Sequence, residues 1–215
     1  TDGGMVCVVC FTLLSSKSCV LGVGVQFERD VDTPAERADG LPGLGPVAAP
    51  VPVRPLFTDL PLMRGDEIAH AAHLAVTAHP WPGTVALYAS ASDDTYVLDQ
   101  IIAASATIGV TQTPLLAAPS GRWDLGSDLQ VSLISGTLQS RDADAVLNGA
   151  NLVAIGDGSP GNWAVTQFAE AELIGPDSYL LRNRLRGQLG RDGLMPAVWP
   201  AGSWFVLVDG SAVEP

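Results

Sequence analysis

Lysine is nearly missing from this sequence: Lys17 is the only one, and 11 basic residues in all stand against 23 acids, for a formal net charge of −12. A chain so short of cations cannot neutralise a row of phosphates, so nucleic-acid binding is not expected. Charge of either sign is sparse, at 16% of residues, and aromatic residues make up only 6%. Cysteine is scarce as well, with Cys7, Cys10 and Cys19 all near the start. An odd count confined to one stretch does not build a disulfide framework. Cys7-Val-Val-Cys10 has redox-motif spacing, but its flanks are strand-like, whereas a thioredoxin-like pair opens a helix. With only Cys19 to add, a zinc set is incomplete, and buried reduced thiols are expected.

Catalytic signatures are missing too. There is no Gly-x-Ser-x-Gly elbow, no His-Glu-x-x-His and no phosphate-binding glycine loop. Carboxylate pairs for glycoside hydrolysis are assembled by the fold, and nothing in the sequence marks one acid over another. The expectation is a protein that is not an enzyme and carries no cofactor. For metals, His70, His73 and His79 lie near Asp66 and Glu67. On a strand His70 and His73 would point to opposite faces, so surface or interface histidines are expected rather than a chelating set. Gly156-Asp157-Gly158-Ser159 and Asp93-Asp94 lack the ligand series of a calcium loop and read as turns.

Long apolar runs are limited to residues 5–25, which Ser15, Ser16, Lys17 and Ser18 interrupt. Two strands around a polar turn suit the Val and Cys content better than a membrane helix, so no membrane span is expected. No charged region followed by a small-residue cleavage site opens the sequence, and no signal peptide is expected.

What is present is a hydrophobic share of 47%, with 23 glycines and 16 prolines, in 215 residues. That describes a folded, turn-rich chain of one or two domains. Pro42, Pro46, Pro50, Pro52 and Pro55 mark a semi-rigid linker. The division is therefore an N-terminal β segment over 1–39, which reads as the end of a preceding domain, a Pro/Gly-rich linker over 40–55 and a C-terminal β domain over 56–215. Strand candidates are 56–62, 70–77, 84–90, 107–113, 129–134, 152–155, 163–174, 179–186 and 204–208. Many short strands with turn residues between them predict a mainly β fold, an antiparallel sandwich or barrel with little helix. The one helix candidate is 141–147, with Ser140 as its N-cap and Asn148-Gly149 at its end.

The clearest local structure is a hairpin turning at Gly175-Pro176-Asp177. Its register sets Phe168, Glu170 and Glu172 against Arg182, Arg184 and Arg186, with ion pairs worth roughly 0.2–1 kcal/mol each across the ladder. The other face, with Ala169, Ala171, Leu173, Leu181 and Leu185, should turn to the core. The aligned arginines are also the candidate site for an anionic ligand or an interface. Trp81, Trp123, Trp163, Trp199 and Trp204 are expected to plug the core or an interdomain contact. The competing reading is a sugar-stacking platform, for which Trp81 and Trp123 are the candidates.

Several blocks carry a resemblance in the right order. They are His79-Pro80-Trp81-Pro82-Gly83, Ala106-Thr107-Ile108-Gly109-Val110-Thr111, Gly121-Arg122-Trp123-Asp124, the VLNGA of 146–150, the AIGDGS of 154–159, the QFAEAEL of 167–173 and the LRGQL of 185–189. From about Pro55 to Asp209 the chain resembles the C-terminal region of the large host-specificity, tail-tip hub protein of gene transfer agents and related phages. The resemblance fails before about Val31. It implies a structural role in a phage-like tail tip or baseplate, hub and tail subunits as partners and a homotrimeric setting. It also implies a part in host attachment or DNA delivery. The alternative is a glycan-binding module that recognises a host surface. That family's hydrolase-like barrel lies upstream, so no catalytic residue transfers to this chain.

Overall fold

The computed structural model describes residues 6–13, 16–20, 52–61, 63, 72–90, 95–208 and 213–214. The fold is mainly β, as the turn-rich composition predicts. The strands are β1 (Val6–Leu13), β2 (Ser16–Val20), β3 (Arg54–Thr58), β4 (His73–Thr77), β5 (Val85–Ser90), β6 (Val97–Ile102), β7 (Ile108–Thr111), β8 (Leu115–Leu116) and β9 (Trp123–Asp124). They continue with β10 (Leu129–Ser135), β11 (Leu152–Gly156), β12 (Trp163–Gly175), β13 (Ser178–Leu185), β14 (Val198–Trp199), β15 (Trp204–Leu207) and β16 (Val213–Glu214). Among the described residues one α-helix, α1 (Ala143–Leu147), stands between β10 and β11. No helix there is long and apolar enough to cross a membrane.

The chain forms two compact units, one of residues 1–53 and 80–103 and the other of 54–79 and 104–215. The first holds a sheet of order β2-β1-β5-β6. Its β1–β2 hairpin pairs Leu13 with Ser16, so Ser16, Lys17 and Ser18 belong to the second strand and not to the turn. The side chains of these two strands, and with them the cysteines expected to be buried thiols, lie outside the described residues. So do most of the Pro/Gly-rich linker, Asp66, Glu67, His70 and Asp93-Asp94.

The second unit is built on a closed barrel. Six strands follow one another in the order β10-β7-β15-β11-β12-β13, every neighbour antiparallel, and β13 pairs back to β10 to close the ring. Closure leaves no unpaired edge between these strands. Side chains alternate across the wall with the two-residue period of a strand. Val153 and Ile155 on β11, Phe168 on β12, Leu181 on β13 and Phe205 on β15 join one buried cluster. Their neighbours Ala154, Val165 and Val206 join a second cluster with Ala75 of β4. Trp163 also belongs to that second cluster, and Trp199 belongs to the first, so both plug cores as expected. The wall is tight where Gly156 meets Trp163: a Cβ there would lie 2.5 Å from the Asn162 carbonyl and 2.6 Å from the indole.

Two local expectations are corrected. Helix α1 is capped by Asp142, whose Oδ1 accepts from the Ala145 amide at 2.7 Å, and not by Ser140. Ser140 instead bonds β12, its hydroxyl accepting from the Ala171 amide at 3.0 Å. His73 is 1% exposed within β4 and so is not a surface histidine, whereas His79 is exposed.

Candidate functional site

The long hairpin of β12 and β13 carries Glu170, Glu172, Arg182 and Arg184. Its register sets Phe168 against Arg184 and Glu170 against Arg182, even residue against even residue. The contacts made from that register differ from the simple ladder of pairs. Arg182 stays at the surface, its side chain 36% exposed, and donates to two carboxylates: Nε to Asp128 Oδ2 and Nη1 to Glu172 Oε2, both at 2.7 Å. Glu170 accepts from Asn183 Nδ2 at 2.6 Å. Asn183 adopts φ 52°, in the left-handed region, and so interrupts the plain alternation between Arg182 and Arg184.

Beyond Asn183 the strand carries two guanidinium groups inward, Arg184 at 2% exposure and Arg186 at 1%. Such burial is rare for arginine and requires partners. The short strand β9 supplies one, because it pairs with the end of β13 and sets Asp124 directly against Arg184. Asp124 Oδ2 accepts from Arg184 Nε at 3.2 Å and from Arg186 Nη1 at 3.3 Å. Backbone carbonyls accept further hydrogen bonds: Leu181 O from Arg184 Nη1 at 2.9 Å and Leu116 O from Arg186 Nη1 at 2.8 Å. Met195 Sδ lies 3.5 Å from Arg186 Nη2. The other oxygen of Asp124, Oδ1, accepts from the Gly126 amide at 2.9 Å.

Burial alone would push the Asp124 carboxyl up. The Gly126 amide and the two guanidinium groups outweigh it and hold the group below its ordinary 3.8. Burial pushes the Arg186 guanidinium below its ordinary value, with Arg184 adding repulsion and Asp124 opposing both. Two cations thus share one carboxylate.

The arginines singled out from sequence are therefore not one aligned row. Arg182 belongs to a surface ion network, and Arg184 and Arg186 form a buried core with Asp124. The signal missed in the sequence was Asp124 itself, one acid among many, whose role depends on β9 pairing with a strand some 60 residues later. The expected apolar face is buried at Ala169, Leu181 and Leu185, but Leu173 is 63% exposed near the turn. Trp123 is half-buried and packs on the cluster of Val146, Ala169 and Leu185. Trp81, also half-buried, donates to the Gly83 carbonyl at 2.9 Å. None of the five tryptophans is fully exposed.

Gly156-Asp157-Gly158-Ser159 is a turn, as expected: Asp157 Oδ1 accepts from the Ser159 amide at 2.9 Å, and Oδ2 accepts from Asn162 Nδ2 at 2.6 Å. Among the described residues no group of three His, Cys, Asp or Glu side chains is placed to hold a metal ion.

Residues 106–206 match the family described as Rcc01698-like, C-terminal, a family related to the gene transfer agent of Rhodobacter. The match begins just before the first barrel strand, β7, and ends inside the last, β15. No curated protein matches the chain.

Proposed function

We propose that this chain is a non-catalytic, structural component of the tail tip of a gene-transfer-agent-like particle, contributing to hub assembly and to host attachment or DNA delivery. The observation that carries the proposal is that the family match covers the closed barrel, from just before β7 to within β15. The site chemistry supports it. The buried Asp124–Arg184–Arg186 core directs its donors to internal carbonyls and a carboxylate, an arrangement that fixes a shape. A net charge of −12 suits a role among protein subunits better than one on DNA. Hub and tail subunits in a homotrimeric tip are the partners proposed.

The glycan-binding alternative needs exposed aromatic platforms, and here the tryptophans are partly or fully buried. Cryo-electron microscopy of the particle, with the barrel fitted as a rigid body, tests the assignment. Density at the distal tip, enclosed by neighbouring subunits, is expected. Absence of the barrel from the particle would overturn the structural role, and a barrel projecting freely outward would favour receptor recognition.

A further inference from the structure

Arg186 follows the last residue of β13 and opens a loop that closes at Met195. Within that loop Leu189 takes φ 54°, a left-handed conformation that strains a branched side chain, and Leu189 and Leu194 are exposed. The backbone bonds inside it are long: Arg191 N to Gln188 O at 3.1 Å, Leu194 N to Arg191 O at 3.2 Å and Met195 N to Asp192 O at 3.3 Å. Two side-chain contacts tie the loop down. Arg191 Nη2 donates to the Asp59 carbonyl at 2.6 Å, and Arg186 Nη2 donates to Met195 Sδ at 3.5 Å.

The second contact is chemically unequal. A thioether is a weak acceptor, yet this one faces a guanidinium group whose residue is 1% exposed and whose Nη1 is bonded to Asp124 and to the Leu116 carbonyl. Met195 is itself half-buried, which leaves the residue open to a small oxidant.

We propose that Met195 is a peroxide-sensitive modification site, at which oxidation to the sulfoxide tightens the loop instead of loosening it. One oxygen of hydrogen peroxide passes to the sulfur. The S–O bond forms as the O–O bond breaks, the thioether gives up two electrons, and the second oxygen leaves as water with both peroxide protons. Methionine oxidation ordinarily disrupts by setting a polar group among apolar ones. Here the new oxygen has a buried cation to face, and the unbranched Met195 side chain has the rotational freedom to turn toward it. A charge-assisted bond to oxygen then replaces a weak one to sulfur. The inference rests on the contacts of Arg186 and not on the particle assignment, and its failure leaves that assignment standing.

The full chain treated with hydrogen peroxide, followed by peptide mass spectrometry and limited trypsin digestion, tests it. Residue 195 is expected to gain one oxygen. Arg191 is held to Asp59, so trypsin cuts after it only when the loop opens, and the cleavage rate reads that opening. Oxidation should slow cleavage after Arg191 at least about threefold and leave cleavage after Arg141 unchanged, because a hydrogen bond to a charged group gains from a better acceptor. Met195→Gln, which supplies an amide oxygen, should slow it without peroxide. Met195→Leu, which supplies no acceptor, should speed it and show no response at Arg191 to peroxide. A Met195 that stays reduced while free methionine in the same solution is oxidised overturns the proposal. So does cleavage after Arg191 that quickens or holds steady on oxidation, an equal change after Arg141, or a Met195→Gln chain cut as fast as Met195→Leu.

Discussion

Asp124 and Arg184 face each other directly across the short β9–β13 ladder, and the carboxylate oxygen that Arg184 holds at 3.2 Å also accepts a hydrogen bond from Arg186 at 3.3 Å. One oxygen therefore fixes two cations, and the three side chains stand or fall together.

Removing a member strands the others. Asp124→Ala leaves two buried guanidinium groups without their counter-charge, and Arg184→Ala removes one of the two cations that hold the carboxylate. Each is expected to cost about 3–5 kcal/mol, the range for breaking a buried ion pair from one side. Arg182→Ala, at a half-solvated network, should leave the denaturation midpoint nearly unchanged. Urea titration of the three variants decides the matter, and an Arg184→Ala midpoint equal to that of Arg182→Ala would contradict the buried-core reading.

Acid should weaken the fold through the same carboxylate. The folded-state pKa of Asp124 lies below its ordinary 3.8, so its ionised form is favoured by folding. That stabilisation is fully present above the unfolded value and is lost as pH falls through the depressed folded one. Melting temperature is expected to decline below about pH 4, and more gently in Asp124→Asn, which has no proton to take up. Equal acid slopes in parent and variant would remove Asp124 as the cause.

Much of the barrel was legible because its strands alternate. Leu129-Gln130-Val131-Ser132-Leu133 reads directly as a half-buried strand, and β10 begins at Leu129 as expected. The strand at Val97–Ile102 escaped notice because Asp99-Gln100 breaks its apolar run where the ladder slips register, between Leu87 and Tyr88 on its partner. The two-residue strands β8, β9 and β14 carry too little sequence to show a period, and they are the elements that place Asp124 and cover Arg186. The depth of Arg184 and Arg186 was likewise hidden, since a guanidinium is read as a surface group until its partner is known.

The corrected cap of α1 offers a clean comparison. Asp142 satisfies an amide of the first turn, while Ser140 bonds the edge of β12 at residue 171. Asp142→Ala is expected to destabilise the protein by about 1 kcal/mol and to speed amide exchange at Ala145. Ser140→Ala should speed exchange at Ala171 and leave Ala145 alone. A Ser140→Ala effect at Ala145 would restore the cap that the sequence suggested.

The last prediction concerns the wall of the barrel at Gly156, which ends β11 opposite Trp163. A methyl group here would lie 2.6 Å from the indole and 2.5 Å from a backbone carbonyl, which is closer than ordinary packing tolerates. Neither neighbour can yield easily: Trp163 is fully buried in the cluster outside the wall, and the carbonyl belongs to Asn162, whose side chain is tied to Asp157. Gly156→Ala should therefore cost about 1–3 kcal/mol by overpacking. Gly161→Ala, in the same β11–β12 connection, has nothing within 4 Å of the added methyl group and should cost far less. Thermal melts of the two variants separate steric crowding from a general intolerance of the turn, because only crowding makes the two substitutions differ.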